Sequence, residues 1–323
     1  MKKIKFVSRR RGFFNHLENI NDEIVFEFIQ SSFEVPSIKR KIASQLIRTK
    51  FMTLLGVIET IKYNTNEDKE TLLGSFNRFL SVERPYFIYL ENPTALFHYT
   101  LGRNKSYLGK HKFKNNLENA YLKEIVCMSY ACMSTMDDIF SPAIYRGKRR
   151  VIYPLVPDNN NVTVNLIKER CKDDELNVLF IAQGTRFISK GGLEVLEAFK
   201  YLKDVKITVI TNISSVEGLI KEYRELPNIK FYDFKYSYED MEQIYAQHQI
   251  LLHPSSDDSF GLTVLEAMKA GLPIITTRLY AFPEMVEEGI NGYMVQPKWE
   301  FFGKNNLPNP LVWNNRKKNS IFD

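Results

Sequence analysis

Between residues 177 and 295 the chain alternates between two apolar periods, and this limits its fold more than any other feature. Short runs rich in β-branched and aromatic residues, "NVLFIA", "VKITVIT", "IKFYDF", "ILLHPS", "PIITT" and "GYMV", read as strands. Between them "GGLEVLEAFKYL", "VEGLIKEYREL", "YEDMEQIYAQ" and "GLTVLEAMKA" carry helical spacing, and "PEMVEEG" reads as a short helix. Strands that alternate with helices build a parallel sheet covered by helices on both faces. The predicted class is therefore α/β. Such sheets take their ligands beyond the carboxyl ends of their strands.

One stretch bears on that edge directly: "DSFGLTVLEAMKAGLPIITT", residues 258–277. It predicts a helix from near Gly261 to Ala270. Gly271 fits the left-handed residue that follows a helix, and Pro273 forbids continuation. The amides of Gly261, Leu262 and Thr263 then sit at a helix start, which is a ready anion site. Asp258 precedes that start, and Glu266 lies about a turn and a half inside it. Taken singly, an acid before a helix is an ordinary N-cap, and Glu266 an ordinary salt-bridged helix residue. Together they suit a nucleotide-sugar, whose phosphates take amides and whose hydroxyls donate to carboxylates.

The string "DDSFGLTVLEAMKAGLPIITT", followed by "PEMVEEGINGYMV", resembles the donor-site signature of the retaining glycosyltransferase family 4. The resemblance implies a GT-B fold of two Rossmann-like domains facing a cleft. It also implies transfer of a sugar from a nucleotide-sugar, a UDP- or GDP-sugar, with retention of configuration. Glu266 matches the second Glu of the family's Glu–seven residues–Glu motif, which binds the nucleotide ribose. Asp258 stands where the first Glu holds sugar hydroxyls, and is one methylene shorter, a loss of roughly 1.5 Å of reach. A second match is "IAQGTRFISKGGLEVLEAF", residues 181–199. Gly184, Lys190 and Gly191 fit the family pattern, while Thr185 stands at its Arg position and Arg186 comes next. Lys190, with Arg186 as a substitute, is placed to balance a leaving diphosphate. The resemblance implies no metal and no cofactor; no Asp-x-Asp occurs, and the scattered His form no metal pattern.

The first half is less legible. Strands are predicted at "IKFV", "EIVFEFI", "YFIYL" and "EIVCMS", and a helix over Ile38 to Lys62 from its apolar spacing. A junction falls in "YPLVPDNNNVTVN", giving an acceptor-side domain over 1–157, a nucleotide-sugar domain over 158–300 and a tail over 301–323. The chain stops about where the family's closing helices begin, so a short or truncated form is expected. Cys127, Cys132 and Cys171 form no zinc spacing and fit a reducing cytoplasm. Arg9, Arg10 and Arg11 interrupt any leader-like apolar core, and no apolar run can cross a bilayer.

Residues 1–157 hold 25 Lys+Arg against 15 Asp+Glu, while the remainder holds 19 against 23. A basic half implies an anionic partner. The candidates are a phosphorylated or lipid-linked saccharide acceptor and the inner face of an anionic membrane. Arg9–Arg11 and His98 in "ALFHYT" are the acceptor-side candidates, and Arg103, Lys105, Lys110, Lys112 and Lys114 read as a basic loop. Two other classes stay open: a non-catalytic nucleotide-sugar-binding subunit, and a nucleic-acid binder. No helix-turn-helix, RNP or zinc signature supports the latter. The function expected is sugar transfer to an envelope or surface polysaccharide or glycolipid.

Overall fold

The computed structural model describes residues 2–8, 14, 17, 23–29, 42, 45–58, 60–64, 69–100, 102–140, 145–297, 300–303 and 306–309. The chain divides into two units, Met1–Leu155 with Lys304–Leu307 and Val156–Gly303 with Pro308–Asp323.

In the first unit the strands are β1 (Lys2–Phe6), β2 (Ile24–Phe28), β3 (Thr60–Lys62), β4 (Leu72–Phe76), β5 (Phe79–Ser81), β6 (Tyr86–Leu90), β7 (Leu122–Cys127) and β8 (Arg149–Val151). Six form one sheet in the order β2-β1-β4-β6-β7-β8, and β3 pairs with β5. Every pairing is parallel. The predicted strands β1, β2, β6 and β7 are present. Strand β4, "LLGSF", escapes prediction because Gly74 interrupts its apolar run. The glycine is needed, since a Cβ there would lie 2.6 Å from Phe87 Cζ.

The helix expected over 38–62 is not continuous. Thr49 opens α1 (Lys50–Leu54) by accepting from the Met52 amide, and residues 60–62 belong to β3 instead. Of that expected helix, Ile38–Lys41 lie outside the described residues. Its apolar stripe is not covered: Phe51 is 65% exposed and Leu54 68%. The expected basic loop is mostly helix, α2 (Tyr107–Glu118), capped by Ser106 and buried along Gly109, Phe113 and Leu117. Arg103 is not a surface cation at all. It is fully buried, donating to the carbonyls of Val57 at 2.9 Å, of Phe97 at 3.4 Å and of Ile47. Helix α3 (Tyr130–Ile139), opened by Ser129, was also unpredicted.

The second unit follows the alternation closely. Its elements are α4 (Val164–Arg170), β9 (Asn177–Ile181), α5 (Gly192–Tyr201), β10 (Lys206–Thr211), α6 (Ile213–Ile220), β11 (Ile229–Asp233), α7 (Tyr238–Ala246), β12 (Ile250–His253), α8 (Leu262–Lys269), β13 (Ile274–Thr277) and β14 (Gly292–Val295). The sheet order is β11-β10-β9-β12-β13-β14, all parallel. Strands β9 and β12, first and fourth in sequence, are neighbours where the winding reverses. That reversal opens a crevice at their carboxyl ends. Phe180, Val209, Leu196 and Ile220, with no measurable exposure, anchor the core under α5 and α6. The segment "PEMVEEG" makes only a 3-10 turn at Phe282–Glu284.

Helix α8 ends as its sequence dictates. Gly271 takes φ +70, and the amides of Gly271 and Leu272 close onto Met268 and Ala267. Behind it, buried Arg170 donates to four carbonyls: Tyr245 at 3.3 Å, Ala246 at 3.2 Å, His248 at 2.9 Å and Ala270 at 2.8 Å. Arg170→Met keeps the apolar stem but strands those acceptors. We expect a loss of about 3 kcal/mol, read as a lower denaturant midpoint at unchanged slope.

Candidate active site

Two loops leave the crevice, one from β9 and one from β12. The first makes two 3-10 turns, Gly184–Arg186 and Ile188–Lys190, before α5 starts at Gly192. The Gly184 amide donates to Asn212 Oδ1 at 3.0 Å. Gly191 presses on Pro254, where a Cβ would lie 2.5 Å from the Pro254 carbonyl oxygen. The loops are tied together because the amide and the hydroxyl of Ser256 both donate to the Ser189 carbonyl, at 2.9 and 2.8 Å.

This tie brings Lys190 and Arg186 together over the β12 loop. Arg186 Nη2 lies 2.9 Å from Asp257 Oδ2 and donates to the Asp257 carbonyl at 3.1 Å. Lys190 Nζ pairs with Asp258 Oδ2 and also reaches the Asp257 carbonyl at 3.5 Å. Asp258 Oδ2 takes a further hydrogen bond from His253 Nε2 at 2.8 Å. Burial alone would raise the Asp258 pKa, but the Lys190 ammonium and the His253 bond outweigh it and hold the carboxyl far below the carboxylate range. Asp258 is thus no helix cap. Gly261 occupies the N-cap of α8 with no side-chain cap, at φ +87. Its ring neighbour leaves no room for more, since a Cβ would sit 2.4 Å from Phe282 Cε1.

The first ladder bonds of α8 run from Val264 and Leu265 to the Gly261 carbonyl, which places the Leu262 and Thr263 amides ahead of the ladder. Within the helix, Glu266 Oε2 accepts from Tyr245 Oη at 2.8 Å. Burial raises the Glu266 pKa, and the Tyr245 bond offsets part of that rise. Thr185 is exposed. His98 belongs to the first unit, buried at the end of a 3-10 turn with Nδ1 3.4 Å from Arg78 Nη2. Desolvation and the neighbouring arginines push it down to about 3, so it is neutral. Arg9, Arg10 and Arg11 lie outside the described residues. Among the described residues no group of three His, Cys, Asp or Glu is placed to hold a metal ion.

Sequence reasoning missed His253 and Tyr245, the two donors that orient the acids. The only signal was position: His253 closes a strand five residues before Asp258, and Tyr245 ends a helix whose far contact no spacing reveals.

With this geometry in view, the relatives can be placed. Residues 165–304 match the family described as Glycosyl transferases group 1. An uncharacterized 41.2 kDa protein in the cps region of Klebsiella pneumoniae is 24% identical over 262 residues, 75% of this chain and 68% of that one. The O-antigen biosynthesis glycosyltransferase WclY of Escherichia coli is 30% identical over 151 residues, 44% of this chain and 41% of that one. Among solved structures, Anabaena HepE in complex with UDP and glucose superposes with a TM-score of 0.56 at 16% identity, over 98% of this chain and 90% of that one. Two parallel Rossmann-like units of this kind are the GT-B fold. The second unit carries the match to the glycosyl transferases group 1 family, and the enzyme class that this match and the named relatives support is glycosyltransferase.

The ion pair makes a stability prediction. Asp258 has a depressed folded pKa, so its contribution is present above the unfolded value near 3.9 and is lost as pH falls through the folded value. Asp258→Asn leaves Lys190 unpaired and should cost about 3 kcal/mol at pH 7. Denaturant titrations between pH 4 and pH 2 should show the wild-type stability falling more steeply than that of the variant.

Proposed function

We infer that the chain transfers a hexosyl group from a UDP- or GDP-sugar, with retention, to a saccharide or lipid-linked acceptor in surface polysaccharide assembly. The observation that carries this reading is that Lys190 and Arg186 pair with Asp258 and Asp257 in the loop leading into the start of α8, while Tyr245 orients Glu266 inside that helix. Amides of Gly261, Leu262 and Thr263 face an anion's natural position at a helix start. Glu266 takes the ribose hydroxyls, and Asp258 the sugar. Lys190 and Arg186 stabilise charge that grows on the diphosphate as it leaves. Gly184 and Thr185 line the turn that approaches it. The acceptor is deprotonated by the departing phosphate, so no separate base is required. The WclY name, the cps-region relative and the UDP and glucose in HepE support this assignment. Retention rests on the resemblance of the Asp258 to Glu266 motif.

Glu266→Ala removes charge-assisted bonds of about 1.5–3 kcal/mol each, so calorimetry should show nucleotide affinity reduced roughly tenfold or more. Lys190→Ala should lower kcat far more than it weakens nucleoside binding. Unchanged affinity in the first variant, or parallel losses in the second, would remove those roles. NMR of the newly formed anomeric bond tests retention. A chain that binds donor yet never transfers or hydrolyses it with its native partners would be a binding subunit instead.

The acceptor side and the cytoplasmic, peripheral location rest on the basic first unit. No described helix is long and apolar enough to cross a membrane. The end of α1 meets the start of α2, since a Cβ on Gly56 would lie 2.3 Å from the Gly109 nitrogen. Exposed Phe51, Leu54, Tyr107 and Leu108 therefore belong to one region with exposed Lys50, Lys105 and Lys112. Apolar side chains among lysines suit anionic headgroups, at about 1 kcal/mol per basic residue. Vesicles rich in anionic lipid should sediment the protein at low salt and release it at high salt. Replacing Phe51 and Leu54 with Ser should weaken sedimentation without altering nucleotide affinity. Equal partition to neutral vesicles would remove the membrane.

A further inference from the structure

His253 closes β12 with its ring 2% exposed, and its backbone is fixed by bonds from Ser255 N at 2.7 Å and Thr276 Oγ1 at 2.8 Å to its carbonyl. A carboxylate only accepts hydrogen bonds, so the 2.8 Å contact with Asp258 Oδ2 assigns the proton to Nε2. Nδ1 is then a bare acceptor, and it is buried without a partner among the described residues. Burial lowers the ring's pKa, which keeps that tautomer neutral. The ring cannot easily turn to satisfy Nδ1, because Phe282 packs edge-on at 5.7 Å and 75°. An orphaned buried acceptor costs stability. An apolar side chain of similar volume would avoid the cost, so packing alone does not account for an imidazole here.

What the imidazole supplies is direction. His253 and Lys190 both bind Oδ2, and among the described residues no hydrogen bond or ion pair falls on Oδ1. The Asp258 side chain keeps 17% of its surface exposed. An aspartate has only two side-chain torsions, so fixing one oxygen from two sides fixes where the other points. We propose that His253 is a positioning residue that holds Asp258 so that Oδ1 accepts a hydroxyl of the transferred sugar. It therefore governs how much the sugar adds to donor affinity, over and above the nucleotide. The proposal rests on the nucleotide-sugar reading above. It accounts for the shorter acid at this position: a carboxylate with less reach is useful only if its aim is fixed.

The test compares bare nucleotide with its sugar conjugate on the full chain. Affinities for UDP and GDP, and for their glucose, galactose, mannose and N-acetylglucosamine conjugates, are measured by calorimetry for wild type, His253→Leu and His253→Gln. The readout is the ratio of the tightest conjugate to its own nucleoside diphosphate. In His253→Leu the ratio should fall about tenfold while nucleotide affinity stays within about twofold. His253→Gln, which keeps an N–H donor, should recover most of the ratio. An unchanged ratio in His253→Leu, or equal losses for nucleotide and conjugate, overturns the positioning role. So does a wild type for which no conjugate binds tighter than its nucleotide. A wild type that binds neither UDP nor GDP instead sinks the donor reading. Should His253→Leu not fold, nitrogen-15 NMR of the wild-type histidine decides. Its Nε2 signal should move with the conjugate and not with the nucleotide, and equal movement with both overturns the proposal.

Discussion

Parallel strands cannot be joined by tight turns, and everything in the second unit depends on that restriction. Each strand must hand the chain to a crossover, so all carboxyl ends open along one edge of the sheet. Reversal of winding between β9 and β12 leaves two neighbouring strand ends whose chains depart to opposite sides. The space between those departures is the crevice. The Ser189–Ser256 bonds close it at one point, and this is what lets residues 67 positions apart act as one group. Without that tie, Lys190 and Asp258 would be two surface charges of little energetic weight.

Both cations at the crevice are already paired within the protein. Arg186 meets Asp257, and Lys190 meets Asp258. A cation already paired is held in place at modest desolvation cost, and it can share its remaining N–H donors with a phosphate. Its partner acid is likewise not consumed by the pairing, because a carboxylate has about four acceptor positions. Glu266 follows the same pattern with a neutral donor. Tyr245 engages one oxygen, while burial raises the phenol's own pKa and keeps it protonated. Each acid thus has one oxygen assigned to the protein.

How much of this the sequence discloses depends on distance along the chain. Buried parallel strands such as "NVLFI" read as unbroken apolar runs, and the helices between them keep a 3.6-residue period, so the second unit was legible almost element by element. The stop of α8 was legible too, because Gly271 and Pro273 act locally. Strand β4 was not, since Gly74 is there for the Phe87 ring on a neighbouring strand. Nor was α2, whose buried positions 109, 113 and 117 include a glycine that no apolar count detects. Arg103 looked like one more surface charge, yet it satisfies carbonyls up to 56 residues away. At the site, the acids and cations were visible as local motifs. Tyr245 was not, because its contact with Glu266 runs between helices, and His253 was not, because no periodicity signals a loop that folds Asp258 back onto it five residues later.

Arg170 acts at the end of α8 that lies away from the crevice. Helix α8 has eight residues and is about 12 Å long, with its amide end toward the crevice and its carbonyl end capped by the Arg170 guanidinium at Ala270. The same guanidinium holds the Tyr245 carbonyl, while the Tyr245 hydroxyl holds Glu266. A helix compensated by a fixed cation at its negative pole is already polarised in the sense that an incoming anion needs. Its backbone dipoles are therefore held in one direction by the protein itself. The placement of the front of the helix is thus tied, in this protein, to a buried arginine at its back.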